Sequence, residues 1–408
     1  MKKFVCRSVG VALAGSLALG GFVAIAGDTA ASAKSTPILV GGMDSLNNPT
    51  YAAPETQAGL NAAIKDVNSH GGINGHPLKL DFCNTNYEAN LEYSCTLQLI
   101  SNHVVALVAP SVLADQTGRE YTAMAAAKVA EVGGQGLSLA ELTSPISFPL
   151  SSGLPGWFYG AVASLVAKGD TKIAILQDTN PTSQLAAQLV VQAIKSAGLT
   201  PLQTVTADVT SDPTLSTAAS KVVQGANGIV LTPGPVVMPK IVPAIQATGY
   251  KGAISTITAL FQPAILKAVG SSANGVLLDS QIAFTTQKSN KGVSQFLSDM
   301  KRYAPGATID NTSLVAWSAV MLYAKVTSAA KAVTRSHVLA AFTNLKNAVN
   351  IDTAAPYKVV GQTQPYPPFT RIFNPTVVYG SVKNGQIIAS SGAFVNPFTT
   401  LKNAAKNG

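Results

Sequence analysis

The residues of this chain with the most chemical potential are few and far apart. Four histidines occur, His70, His76, His103 and His337, so a general base is available in principle. Yet no Gly-x-Ser-x-Gly elbow, His-Glu-x-x-His pair, Gly-x-Gly-x-x-Gly turn or phosphate-binding loop follows a strand-like run. No loop cluster offers an acid–base pair, and His70 and His76 lack metal-ligand spacing. The chain therefore reads as a non-enzyme with no cofactor and no metal. Of its three cysteines, Cys6 lies near the start, and Cys83 and Cys95 form an even pair. In an exported chain that pair reads as a disulfide, worth roughly 3 kcal/mol on the chain-entropy account. What remains are small polar residues where apolar runs break: Asp44 and Ser45, Ser111, Gly134 and Gln135, Asp178 and Asn180, Pro233 and Gly234. Groups of this kind offer hydrogen bonds without an acid–base pair among them.

The elements that must position them follow from composition and period. With 408 residues, 47% hydrophobic and 12% charged, the chain is long enough for two lobes. The first 33 residues read as an export signal: Met1-Lys-Lys and Arg7, an apolar stretch, then Ala31-Ser-Ala33 as cleavage site. An uncleaved anchor is the alternative; no cysteine near Ala31 indicates lipidation. Net charge is +9, and removing Lys2, Lys3, Arg7 and Asp28 leaves +7. That excess is dispersed, without a basic stripe interleaved with aromatics, so no nucleic-acid partner is expected.

Strand-like runs at 37–42, 78–83, 104–109 and 129–132 alternate with helical periods, predicting a parallel sheet with right-handed crossovers. A second cycle opens near Gly153 with strands at 171–177, around Val205, and at 228–232, 252–257 and 275–278. Three helices follow, at 292–303, 312–330 and 335–345, and Lys383-Asn-Gly385 between apolar runs predicts a hairpin. The expected division is 1–33 signal, 34–152 first lobe, 153–280 second lobe, 281–355 return to the first, and 356–408 C-terminal strands mainly on the second. Hinge crossings are expected at 151–153, 279–283 and 352–357. In such α/β folds the crevice lies outside the carboxyl ends of the strands, which is where the polar loop residues sit, with Tyr51, Thr258, Leu260 and Phe261 as wall.

The helix end and turn Ile64-Lys-Asp-Val-Asn-Ser-His-Gly-Gly-Ile-Asn-Gly-His-Pro-Leu-Lys-Leu80 resembles the glycine-turn signature of the branched-chain amino acid-binding family. The runs at 104–111, 171–178 and 272–278 extend the likeness over most of the mature chain. The resemblance implies the type I periplasmic binding fold: two Rossmann-like α/β lobes joined by a multi-crossing hinge. It further implies an extracytoplasmic monomer that closes on a small solute and delivers it to the permease subunits of an ABC importer. A ligand-sensing subunit for a membrane receptor, or an exported enzyme on this fold, are the competing readings. In relatives a Ser or Thr and backbone N–H groups grip the α-carboxylate; Ser111 and the 133–135 loop match those positions. An acidic residue of the second lobe holds the ammonium, but here Thr258 falls near that place and no carboxylate lies between 254 and 269. A buried ammonium without a counter-charge is costly, so the sequence points away from a zwitterionic amino acid. It favours a neutral amide or small carboxylate instead.

Overall fold

The computed structural model describes residues 35–208 and 212–407; the expected export signal at 1–33 lies outside the described residues. In chain order the first half runs β1 (Ile38–Asp44), α1 (Pro54–Ser69), β2 (Leu78–Asn84), α2 (Ala89–Ser101), β3 (Ala106–Val108), α3 (Arg119–Ala126), β4 (Ala130–Val132) and β5 (Ser147–Phe148). These strands form one sheet in the order β2-β1-β3-β4-β5, parallel throughout. The chain continues with α4 (Gly153–Val166), β6 (Ile173–Asp178), α5 (Pro181–Ser196), β7 (Gln203–Ala207), α6 (Asp212–Val222), β8 (Gly228–Leu231), α7 (Met238–Ala247), β9 (Ala253–Ile257), α8 (Pro263–Val269) and β10 (Leu277–Ser280). Helices α9 (Lys291–Tyr303), α10 (Asn311–Thr327) and α11 (Arg335–Thr343) follow, then β11 (Val378–Lys383), β12 (Gln386–Ala389) and α12 (Pro397–Asn407). The second sheet has the order β12-β11-β10-β9-β8-β6-β7, parallel except where β11 pairs with β10 and β12.

Helix α1 shows how local sequence sets this arrangement. Leu60, Ala63, Ile64 and Val67 recur on one face, and all four are buried. That face packs on α10 and α9, and a Cβ at Gly59 would overlap the Ser313 carbonyl, so glycine permits the close helix approach. The helix then stops at a turn in which the Gly72 N–H reaches back to the Val67 carbonyl (3.0 Å) with φ at +72°. Glycine alone takes that conformation without steric cost. Because α9, α10 and α11 share one core with β1, β3, β4 and β5, through Phe296, Trp317, Tyr323 and Phe342, the chain returns to the first sheet after β10.

Three elements differ from expectation. The third crossing, expected at 352–357, comes later: Tyr357 is buried in the first core with its ring 6.0 Å from Phe373. Asn374 then bonds the Leu150 carbonyl (3.2 Å) just before β11 joins the second sheet. Strand β5 is only two residues long, too short for periodicity to reveal. The chain ends in a helix, α12, where only strands were expected; Phe398 and Leu401 bury its apolar side against α4 and α5. Cys83 and Cys95 are joined, tying β2 to α2.

Candidate functional site

The loops that leave β1 and β2 are built as one unit. Asp44 is buried; its Oδ1 accepts from the Ser45 N–H (2.8 Å) and its Oδ2 from the Thr56 hydroxyl (2.6 Å), and burial pushes its carboxyl up to about 7. Ser45 donates its hydroxyl to the Tyr51 carbonyl (2.7 Å), folding the loop so that Tyr51 projects beside Tyr87, ring centroids 5.4 Å apart. Tyr87 has φ +54° and follows Asn86 at +49°. The left-handed region costs an L-residue roughly 1–2 kcal/mol, and it is offset here by side-chain amides. Asn84 Oδ1 accepts from the N–H groups of Leu46 (2.9 Å) and Asn86 (3.0 Å), and Asn48 donates to the Asn86 carbonyl (2.9 Å).

The loops after β3 and β4 hang on buried carboxylates. Glu92 of α2 accepts from the backbone N–H groups of Leu113 (3.0 Å), Ala114 (2.9 Å) and Asp115 (2.7 Å); burial outweighs these bonds and raises its pKa. Glu141 accepts from Gly136 (2.6 Å) and Leu137 (2.8 Å), and Glu131 from the Ser147 hydroxyl. Burial raises both carboxyls far above the ordinary range, and the charge of Glu141 raises Glu131 further. Gly134 lies between them, where a Cβ would strike both.

On the second sheet, Asp178 ends β6. Its Oδ1 accepts from the Asn180 N–H (2.8 Å) and its Oδ2 from the Gly234 N–H (3.0 Å), drawing together the loops after β6 and β8. Asn180 caps α5 through the Thr182 N–H (2.8 Å), with Pro181 at the first helical position. Helix α4 contributes Leu154, Trp157 and Phe158. Trp157 is 2% exposed and its Nε1 has no partner among the described residues.

Strand-end loops of both sheets, with α4, enclose a cavity of about 450 Å³. Of the residues expected from sequence, Tyr51, Gln135, Asp178, Asn180, Gly234 and Leu260 line it. Asp44, Ser45 and Gly134 instead stand behind the wall and hold its loops, as just described. Ser111 is likewise buried behind it, its N–H on the Met43 carbonyl (2.9 Å) and its hydroxyl beside Asp44 and Tyr51 but outside bonding geometry with either. Pro233 is absent from the lining; its neighbours Thr232 and Gly234 face the space. Thr258 donates to the Asp279 carbonyl and, with Phe261, borders a second cavity of about 640 Å³ between α8, the start of α10 and the β11–β12 turn. Phe261 is otherwise buried in the second sheet's core. Sequence reasoning named neither Tyr87 nor Trp157 among the site residues; both line the cavity. The signal for Tyr87 was the run Asn84-Thr-Asn-Tyr87, in which short amides favour turns over helix.

Among the described residues, no group of three or more His, Cys, Asp or Glu side chains is placed to hold a metal ion, and no helix is long and apolar enough to cross a membrane. No curated protein sequence matches the chain. Solved structures share its fold. One is an extracellular ligand-binding receptor from Verminephrobacter eiseniae (TM-score 0.74, 19% identity, covering 86% of this chain and 100% of that one). Another is the branched-chain amino acid transporter substrate-binding protein LivJ from Streptococcus pneumoniae, in complex with isoleucine (0.71, 16%, 89% and 100%). A third is a fatty acid ABC transporter substrate-binding protein from Thermomonospora curvata (0.73, 14%, 91% and 94%). They place the two α/β sheets in the two-lobed type I periplasmic binding fold. The sequence family described as periplasmic binding protein matches residues 39–365, most of the described length. The chain belongs to that family of extracytoplasmic, non-enzymatic solute-binding proteins.

Proposed function

We propose that this protein is exported, its first 33 residues serving as signal, and captures a small amphipathic solute in the 450 Å³ cavity between its lobes for delivery to the permease subunits of an ABC importer. The observation that carries the reading is the shared wall: loops at the carboxyl ends of strands from both sheets, Tyr51 and Gln135 on one side and Asn180 and Leu260 on the other, face the same space. That is where open α/β folds bind ligands, and mostly apolar walls with a few polar anchors are usual for small molecules. A solute that touches both lobes favours their approach, because only the closed arrangement offers it all its contacts.

Native mass spectrometry of protein purified from its own cell envelope tests this. A small molecule should be retained by the wild type and lost in Leu260→Arg, which fills the cavity, and adding it back should reduce the radius of gyration in solution scattering. Retention unaffected by Leu260→Arg would remove the cavity from the function.

A further inference from the structure

Resting on the reading that this cavity holds the solute, we infer that the solute is uncharged and mainly hydrocarbon, a flat or ring-shaped molecule bearing an acceptor oxygen such as a ketone. The charge inventory of the wall comes first. Among the described lining residues there is no Lys, Arg, His or Glu, and Asp178 is the one carboxylate. Both Asp178 oxygens already accept backbone N–H groups, from Asn180 and Gly234. A carboxylate ligand would find no cation, and the N–H groups of Ser111 and Gly133 that could replace one are spent on the Met43 and Phe148 carbonyls. An ammonium ligand would have to compete with the two Asp178 bonds, and burying either charge unpaired is strongly unfavourable. The sequence allowed a small carboxylate, but the wall offers it no charged partner.

The hydrocarbon preference follows from what does face the space. Tyr51, Tyr87, Trp157 and Phe158 supply aromatic surface, and Leu137 and Leu260 aliphatic surface, from both lobes. The Tyr51–Tyr87 pair is set by two consecutive left-handed residues, Asn86 and Tyr87. Strain of this kind persists only where the surroundings over-determine it, and it clusters at ligand clamps. Here it puts a ring at the cavity rim that an ordinary turn would leave elsewhere. At about 450 Å³ the space holds roughly fifteen waters at about 30 Å³ each, more room than one short-chain amino acid fills. The Gln135 amide, which has no partner among the described side-chain bonds, supplies a donor for one oxygen of the ligand.

Three probes with one skeleton and different heads isolate the charge: methyl naphthyl ketone, naphthoate and naphthylmethylammonium, titrated calorimetrically beside leucine. The ketone should bind about tenfold tighter than either charged analogue and than leucine. Tyr87→Ala should weaken it about tenfold, while Tyr87→Phe keeps it, with unchanged melting curves certifying both folds. Equal or tighter binding of a charged naphthalene, or leucine binding where the ketone does not, would overturn the class while leaving the cavity as the site. Silence from all four also overturns the class, whereas the site itself falls only with the Leu260→Arg result above.

Discussion

The two walls of the cavity are held by different physics. On the first-sheet side, loops hang on carboxyls sunk into the lobe: Asp44 grips Ser45 and Thr56, Glu92 grips three backbone N–H groups, and Glu141 grips Gly136 and Leu137 beside Glu131. On the second-sheet side a single carboxylate, Asp178, ties the loops after β6 and β8, and the rest of the wall is largely hydrocarbon, Leu154, Trp157 and Phe158 of α4 with Val236 and Leu260 opposite. A carboxylate accepting several N–H bonds fixes a loop in one geometry, but its burial disfavours the charged form. A hydrocarbon wall does not titrate. The comparison teaches that placement of the polar rim and stability of the lobe are in tension mainly on the first side, where several raised carboxyls hold the loops.

The largest expected effect tests the strapping of the first wall. Replacing Cys83 and Cys95 together with Ser should cost roughly 3 kcal/mol in urea unfolding, and a loss below about 1 kcal/mol would show that the tether holds little. Next, Gly134→Ala drives a methyl against both buried carboxyls and should destabilise by about 1–3 kcal/mol. Combining it with Glu131→Gln tests whether the clash is with charge or with volume: partial recovery identifies charge.

The third test is pH. Asp44, Glu131 and Glu141 all have folded values above their unfolded ones. Below the ordinary carboxylate range both states are protonated and stability is full. As pH rises from about 4 through about 8 the unfolded chain ionises first, so stability falls. Asp279, whose buried carboxyl oxygens have no partner among the described residues, pulls the same way. The difference between wild type and Glu131→Gln, measured as melting temperature against pH, therefore isolates the wall: the variant should fall less steeply. Parallel curves would end the contrast. On the second wall, Asn180→Ala removes a helix cap and should cost about 1 kcal/mol without changing the pH slope. Smallest of all, Ser111→Ala should shift stability by less than about 0.5 kcal/mol and leave binding unchanged, because the buried hydroxyl has no bonding partner among the described residues. A clear loss of binding would restore Ser111 to the site that its position in the sequence suggests.

The sequence carried the scaffold well because the scaffold is local. The glycine turn after α1, the apolar runs of the parallel strands and the Cys83–Cys95 pair are each decided within a few residues. The site was legible only as loops. Asp44 and Ser111 stand at strand ends as expected, yet whether such a side chain faces the cleft or turns inward depends on Thr56 and Tyr51, which sequence spacing does not place. Nothing in the sequence marks Trp157 for the site, because the cavity left against it is a property of two lobes together. The late hinge crossing was hidden for a similar reason. The irregular stretch before β11 has no period, and only the packing of Tyr357, Phe373 and Phe148 assigns it to the first lobe.

The cross-link between β2 and α2 encloses the very residues, Asn86 and Tyr87, whose backbone is forced into the left-handed region. Thiols stay reduced in the cytosol and pair outside it. In the exported protein proposed above, oxidation would close this loop covalently and restrict the backbone that carries the aromatic lip of the cavity.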